Sequence, residues 1–491
     1  MKSLYEQFFE NYKKNKNKTF INIDNKSYSF DYVFKAIEEY NNFFNKFSNN
    51  KIAIIKSNSC DHVILYLLCS KLSLTFIPID PTIPTEDIIN QINYAKISYV
   101  FCSDFFYKKF SQNNNKNIKN NFFYFNLDYK KKFNTFKSVI KLKNIKFNNT
   151  FLLSYTSGST GQPKPIAFSE RVKILRARSN INLYKVKKNS KTLISTPLHH
   201  TLAIRILNIS IIQNCEIFII KNYSVNYLFN KIYKEKIRFT IFVSSQINSI
   251  VNNLKKISKL RSLNSIISSS GTLAIENKIK LLEIYKKDIH ECYGLSELAI
   301  ISNLNLKKNK SHLESVGKPI PHVKIKILKN DNTEIGEIIC KSKYKFLEYY
   351  NKKTLTKKNF VNNFFKTGDL GYMKDGFLYF VGRKKNLIKI QGTSVYPEDI
   401  ENKLLKSNLV LECAVCGIED KFKEEKIALL YVKKNKSNYS DWKIKDFCIK
   451  NLAPFQLPRY FISVNDIPKN QLGKIDRLIV KKNAILKINE E

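Results

Sequence analysis

The sequence has no apolar run approaching the roughly 18 residues that a membrane-crossing helix needs, so no such helix is expected. Its opening, MKSLYEQFFENYKKNKNK, has neither an apolar core segment nor a small-residue cleavage site, so no secretory signal peptide is expected. Cysteines are few, nine in 491 residues, and they form no framework of pairs. A disulfide-stapled secreted domain is therefore excluded, and a reducing cytoplasm is the expected location. No internal repeat is present. Acidic side chains are in deficit, with 41 Asp and Glu against 84 Lys and Arg, for a net charge of +43. Such a charge suggests nucleic acid or an anionic membrane as partner. Those partners also call for clustered arginine, interleaved stacking aromatics or an amphipathic anchor, and the sequence has none of them. Glycine and proline are scarce, 13 and 12. The abundant residues (Lys, Asn, Ile, Phe, Tyr) all use A/T-rich codons. The charge is accordingly read as lysine placed on solvated faces by base bias, with KKNKNK near residue 15 and YKKKF near residue 130 as loops.

What is present is ample for globular folding: 43% hydrophobic and 13% aromatic residues. The length calls for at least two domains. Strand-like runs alternate with helical ones: KIAIIKS (51–57), HVILYLLCSKL (62–72), TFIPID (75–80), DIINQINYA (87–95) and YVFCS (99–103). The alternation recurs in KTLISTP (191–197), LAIRILNISIIQN (202–214), EIFII (216–220) and FTIFVSS (239–245). This pattern predicts βαβ units around parallel sheets. From about residue 316 the strands VKIKIL, GEIICKS and GFLYFVG predict an antiparallel region, and a compact α/β pattern follows GRKKN (382–386). The expected division is 1–382 and 383–491.

YTSGSTGQPKP (155–165) combines hydroxyls and glycines with a lysine, a composition suited to phosphate. It is not a Walker loop, because Pro163 holds the place of the second glycine and Pro165 that of the Ser or Thr. A Walker loop also opens into a helix. Here FLLSY precedes the loop and IAF follows it, so strand–loop–strand is predicted, with Pro165 biasing Lys164 toward extended backbone.

Four further stretches carry chemistry-bearing residues: ECYGLSELA (291–299), KTGDLGY (366–372), GRKKNLIKIQG (382–392) and NQLGKIDR (470–477). Taken singly, each has a structural explanation. Gly294 reads as a turn, and Glu297 at a helix start would favour the dipole. Asp369 in a glycine-flanked loop reads as a turn residue. CAVC (413–416) lacks a second pair and reads as strand core.

Together and in this order, the five stretches resemble the adenylate-forming superfamily, which includes acyl-CoA synthetases, peptide-synthetase adenylation domains and beetle luciferases. The resemblance covers nearly the whole chain. YTSGSTGQPKP is close to that family's phosphate loop, TSGTTGxPKG or TSGSTGxPKG, a highly specific match. The resemblance implies a large N-terminal domain of two βα-layered subdomains plus a small distorted antiparallel barrel, then a small mobile α/β domain. It implies ATP, Mg²⁺ and coenzyme A (or a carrier protein's phosphopantetheine) as cofactors, and a small carboxylic acid as substrate.

Site roles follow from the same resemblance. Thr156, Ser157, Gly158, Ser159, Thr160 and Gly161 would wrap the β- and γ-phosphates, with Lys164 as a mobile cation. Glu297 is similar to the Mg²⁺ ligand, and Ser296 would place a hydroxyl near the α-phosphate. Tyr293, beside Gly294, would stack on adenine, with Gly271 and Thr272 lining the other side. Asp369 would hold the ribose hydroxyls, assisted by Arg383. Lys474 resembles the lysine that bridges the substrate carboxylate and the α-phosphate. Lys385 takes the hinge position, where rotation would withdraw Lys474 and bring Lys389 and Gly392 toward a thiol channel. STPLHHTLAIR (195–205) is similar to the segment that begins the acyl pocket, with His200 as its histidine.

Amino-acid-activating members carry an aspartate in that segment, and none lies between Thr196 and Arg205, which disfavours an α-amino acid. Ser244 and Gln246 stand where proline and an apolar residue are usual, suggesting a polar or short acid. Pro165 replaces a usual glycine and would stiffen the loop, and Asn214 stands near another usual glycine. YGLSE is nearer the acyl-CoA branch than the peptide-synthetase form. The alternative is a stand-alone enzyme that loads a carrier protein. The chain ends soon after GKIDR, so no fused carrier domain is expected.

Overall fold

The structure is a computed structural model. It describes residues 1–44, 51–112, 123–127, 149–156, 164–329, 334–390, 393–420, 425–434, 440–470 and 473–490. Its largest sheet has seven strands in the order Glu348–Tyr349, Lys164–Ser169, Thr150–Thr156, Thr75–Ile79, Lys51–Ile55, Tyr99–Cys102 and Phe123–Asn126. From Thr150–Thr156 onward along that order all neighbours are parallel, while Lys164–Ser169 runs antiparallel to both of its own. A second sheet orders Lys26–Ser29, Thr19–Ile23, Glu216–Ile219 and Lys191–Ile194. A bridge from Thr192 to Phe239 carries it toward a third: Phe242–Val243, Ser265–Ser269, Asp288–Leu295, Ala299–Asn305 and Lys318–Pro319.

Helix Cys60–Leu72 shows why these are layers. Its residues His62 to Ser70 are all buried, and it shares one apolar cluster with strands of the first two sheets. A helix enclosed on every side needs no polar stripe, and HVILYLLC provides none. Val323–Leu328, Gly336–Ser342, Phe360–Val361, Phe364–Lys374 and Phe377–Arg383 form the antiparallel region expected after residue 316. Beyond it lie the hairpin Ile388–Ile390 with Thr393–Val395, and the sheet Val410–Glu419, Glu425–Lys433 and Tyr460–Ser463. Three apolar clusters use residues up to Phe380, and two use only residues from Ile388 on.

Several local expectations are corrected. FTIFVSS forms only the short strand Phe242–Val243, and helix Ser244–Val251 begins at once. The Gln246 side chain accepts the Val243 N–H at 3.2 Å, so it caps the new helix and ends the strand. Gly294 lies within strand Asp288–Leu295 rather than in a turn. Glu297 lies in the hairpin connection to Ala299–Asn305, not at a helix start. Asp369 lies in strand Phe364–Lys374, not in a loop. CAVC packs as expected: Cys413 and Cys416 are buried in Val410–Glu419, each a free thiol. Asn214 adopts φ 53°, a left-handed conformation that asparagine tolerates in place of glycine. Among the described lysines only Lys173 and Lys278 are buried, in keeping with lysine on solvated faces. No helix among the described residues is long and apolar enough to cross a membrane.

Candidate active site

The hairpin of Thr150–Thr156 and Lys164–Ser169 closes on the pair Thr156 and Lys164, so the intervening loop springs from one end of the largest sheet. The loop itself (157–163), with Ser157, Gly158, Ser159, Thr160 and Gly161, lies outside the described residues, as do the side chains of Thr156 and Lys164. Pro165 is buried in the outgoing strand, and its carbonyl accepts the Tyr350 N–H at 2.9 Å. It therefore anchors the exit of the loop in the sheet.

The connection after Asp288–Leu295 is held by a guanidinium that the sequence reading missed. Arg176 donates from Nη1 to the Ser296 carbonyl (2.9 Å), from Nη2 to the Glu297 carbonyl (2.7 Å) and from Nε to the Tyr344 carbonyl (2.9 Å). Burial, reinforced by nearby Arg205, pulls its pKa down to about 9. The Glu297 carbonyl also accepts the Phe346 N–H at 2.7 Å. With its backbone fixed, Glu297 presents a carboxylate whose Oε1 accepts the Tyr349 hydroxyl at 2.8 Å. Gly294 has a local reason to be glycine, since a Cβ there would meet the Ala299 carbonyl oxygen at 2.0 Å.

Gly271 and Thr272 follow strand Ser265–Ser269, and a Cβ on Gly271 would reach Ser244 Oγ at 2.4 Å. Their segment is tied down by buried Glu291, which accepts the Leu273 N–H at 2.8 Å and pairs with buried Lys278 at 2.5 Å.

Asp369 is 1% exposed and stands in register opposite Arg383 on the neighbouring strand. Its Oδ2 accepts the Tyr293 hydroxyl at 2.7 Å, and Arg383 Nε lies 2.7 Å from Oδ1 as an ion pair without an aligned hydrogen bond. Burial pushes the Asp369 carboxyl up, against the opposing pull of Arg383, Tyr293 and Lys474.

Lys474 enters this group from the C-terminal unit. Its turn is closed by the Asn470 N–H to the Lys474 carbonyl (2.8 Å) and the Gly473 N–H to the Asn470 carbonyl (2.8 Å). Lys474 is exposed. Burial is the first cause that lowers its pKa, Arg383 adds to it, and Asp369 and Glu297 oppose it. Gly473 has φ +72°, and a Cβ there would meet Ser245 Oγ at 2.2 Å and Ser245 Cβ at 2.3 Å. The lysine turn is thus seated on helix Ser244–Val251. Gly473→Ala is expected to lift that seat and slow acid-dependent ATP–pyrophosphate exchange at least about 10-fold, since small misplacements of a reacting group carry large rate costs. Exchange kinetics on a variant of unchanged melting temperature check this.

Other expected residues are not gathered here. Lys389 is exposed, and its Nζ donates to Ser394 Oγ at 2.6 Å. Lys385 lies in the short helical turn Lys384–Asn386, and Gly392 is outside the described residues. His200 is the N-cap residue of helix Thr201–Ile212, its ring 4.3 Å from that of His199. The Gln246 amide is engaged with Val243 and Ser195, so its polarity carries no information about the acid. Among the described residues no His, Cys, Asp and Glu cluster has the makeup of a metal site. Arg176 had one visible signal: Lys173 and Arg176 occupy the helical spacing that otherwise marks a buried stripe.

A family model described as AMP-binding enzyme matches residues 8–350, and one described as AMP-binding enzyme C-terminal domain matches residues 399–474. The chain is 28% identical over 337 residues to 2-succinylbenzoate–CoA ligase of Bacillus subtilis, spanning 67% of this chain and 68% of the relative. It is 25% identical over 434 residues to the protein of the same name from Oceanobacillus iheyensis, 87% of each chain. The solved O-succinylbenzoate CoA synthetase of Bacillus subtilis with its acyl-adenylate superposes with TM-score 0.83, at 21% identity over 98% of each chain. ATP-bound MatB from Rhodopseudomonas palustris superposes with TM-score 0.87, at 17% identity over 98% of this chain and 99% of that one.

Proposed function

The chain belongs to the AMP-binding enzyme family as an AMP-forming acid–thiol ligase, and from that premise we propose that it activates a carboxylic acid with ATP and passes the acyl group to coenzyme A. In the first step an acid oxygen bonds to the α-phosphorus and the bond to pyrophosphate breaks. In the second the thiol sulfur takes the acyl carbon and AMP leaves. The observation that carries this reading is the convergence of Lys474, from the C-terminal unit, on Asp369, Arg383 and Glu297.

Lys474 places a cation beside Asp369, Arg383 and Glu297, where it would offset charge building between the acid and the α-phosphate. Asp369 suits ribose. It is buried, both oxygens point at polar groups, and Oδ1 still lacks an aligned donor. Tyr293, held by Asp369, forms a wall for adenine opposite Gly271 and Thr272, and Ser296 supplies a hydroxyl beside the phosphates. Glu297 suits Mg²⁺, being a hard oxygen donor oriented by Tyr349 on a fixed backbone. When bound, Mg²⁺ offsets phosphate charge. Thr156, Lys164 and the loop they flank take the β- and γ-phosphates. Tyr349→Phe is expected to raise the Mg²⁺ concentration needed for half-maximal exchange about 10-fold, the usual scale for losing a group that orients a metal ligand. A Mg²⁺ titration of initial rates checks it.

We place the domain boundary between 382 and 383, with Lys385 as hinge. Lys384 Nζ pairs with Glu337 at 2.9 Å and Asn386 Nδ2 donates to Glu398 at 3.0 Å, so this short turn is pinned on both sides. Lys389 acts after rotation, in the thioester step, and His200 borders the acid site. The acid is left open between classes, because the relatives' names include both 2-succinylbenzoate, with two carboxylates, and long-chain fatty acids. Acid-dependent ATP–pyrophosphate exchange, followed by thioester formation on adding coenzyme A, tests the reading. Exchange without thioester formation would remove coenzyme A as acceptor.

A further inference from the structure

Ser244, Ser245 and Gln246 open helix Ser244–Val251, and each meets a different part of the cleft. Ser244 Oγ lies where a Cβ on Gly271 would strike it at 2.4 Å, so Ser244 backs the segment assigned to adenine. Ser245 seats Gly473, the residue before Lys474. Gln246 is buried and reaches the segment that runs to His200. Its Nε2 donates to the Ser195 carbonyl at 3.2 Å, and its Oε1 accepts the Ser195 hydroxyl at 3.3 Å.

That segment is fixed independently from the other side. Asn58 and Asp80 lie just beyond strands Lys51–Ile55 and Thr75–Ile79 of the largest sheet. The buried Asn58 side chain accepts the Leu198 N–H at 2.7 Å and donates to the Thr196 and Ile220 carbonyls at 3.4 and 2.8 Å. Asp80 Oδ2 lies 3.6 Å from His199 Nε2. Residues 196–199 therefore keep their place without Gln246. What Gln246 adds is a link from this fixed segment to the helix on which the lysine turn rests. An apolar side chain, the type usual at this position, has no donor or acceptor with which to make that link.

We propose that Gln246 is a positioning residue for the first half-reaction, which sets the Lys474 turn against the segment bordering the acid. This rests on the reading of the chain as an acid–CoA ligase. The lysine has to meet the acid carboxylate and the α-phosphate together, and a reacting group displaced by about 1 Å can lose up to about 100-fold in rate. Ser244 relates the helix to the nucleotide side of the cleft, and Gln246 relates it to the acid side. The seat of Gly473 lies between them, on Ser245.

The test is the kinetics of Gln246→Leu. Its kcat for acid-dependent ATP–pyrophosphate exchange should fall about 10-fold, with KM for the acid and for ATP within about 3-fold of wild type. Thioester formation from a pre-formed acyl-adenylate should also stay within about 3-fold, because that half-reaction does not use the docked lysine turn. In a Gly473→Ala background, where the seat is already lifted, Gln246→Leu should cost no more than about 3-fold further. Ser195→Ala removes the hydroxyl half of the link and leaves the Gln246 cap of Val243 in place. It should reproduce the pattern with a fall in kcat of about 5-fold, and it carries the test if Gln246→Leu does not fold. Wild-type kcat in Gln246→Leu overturns the proposal. So do equal losses in both half-reactions, a change confined to KM, or a full further 10-fold loss on Gly473→Ala. Each of these leaves the ligase reading standing. A wild-type protein that exchanges with no acid overturns that reading, and the proposal with it.

Discussion

Lys474→Ala is expected to lower acid-dependent ATP–pyrophosphate exchange by about 10²–10³-fold, while thioester formation from a pre-formed acyl-adenylate stays within a few-fold of wild type. The asymmetry follows from where the side chain comes from. Lys474 is carried on a turn of the C-terminal unit, seated through Gly473 on Ser245, beside Asp369, Glu297 and Arg383. A group brought in by one domain orientation serves the half-reaction that orientation assembles. Rapid-quench assays of the two half-reactions separate the outcomes, and an equal loss in both would refute the assignment. The pH profile supplies a second check. Burial and Arg383 lower the Lys474 pKa, so the cation is lost, and exchange declines, at a pH below the ordinary lysine value of 10.5. Lys474→Ala should not show that alkaline limb.

Asp369→Asn is expected to weaken ATP binding about 100-fold. The carboxylate offers two ionised acceptors to ribose, whereas the amide offers one acceptor and turns a donor toward the other hydroxyl. Hydrogen bonds to charged groups contribute about 1.5–3 kcal/mol each, and roughly 3 kcal/mol corresponds to the stated loss. The same change removes the buried counter-charge of Arg383 and leaves Tyr293 an acceptor only if the amide is turned correctly. Calorimetric ATP titration of the purified variant decides the matter. Affinity within about 3-fold of wild type would place ribose elsewhere.

Sequence patterns anticipated elements wherever local pattern and tertiary burial agree. KIAII and YVFC became central parallel strands because β-branched and aromatic runs suit a sheet buried on both faces. The strand–loop–strand reading of 155–165 followed from Pro165 and the flanking apolar runs, and the hairpin register agrees with it. Misreadings arose where a glycine has a reason other than a turn. Gly294 allows close approach to the Ala299 carbonyl, and Gly368, with φ +70°, lets strand Phe364–Lys374 continue past Asp369. FTIFVSS looked like one strand because a helix cap placed on Gln246 is invisible until Val243 has a partner. The residues that hold the site in place were the least legible. Arg176, Tyr349 and the pair Lys278–Glu291 act on backbone or side chains 13 to 168 positions away, and no local pattern encodes such contacts.

The central claim is that this cleft joins an acid to AMP. Its most direct test is acid-dependent ATP–pyrophosphate exchange by the full-length protein, over short, branched, aromatic, long-chain and dicarboxylic acids, with Lys474→Ala in parallel. Exchange that depends on one class of acid, requires Mg²⁺ and collapses in Lys474→Ala is the predicted result. A folded, ATP-binding protein that exchanges with no acid, or exchanges equally well without Lys474, would contradict it.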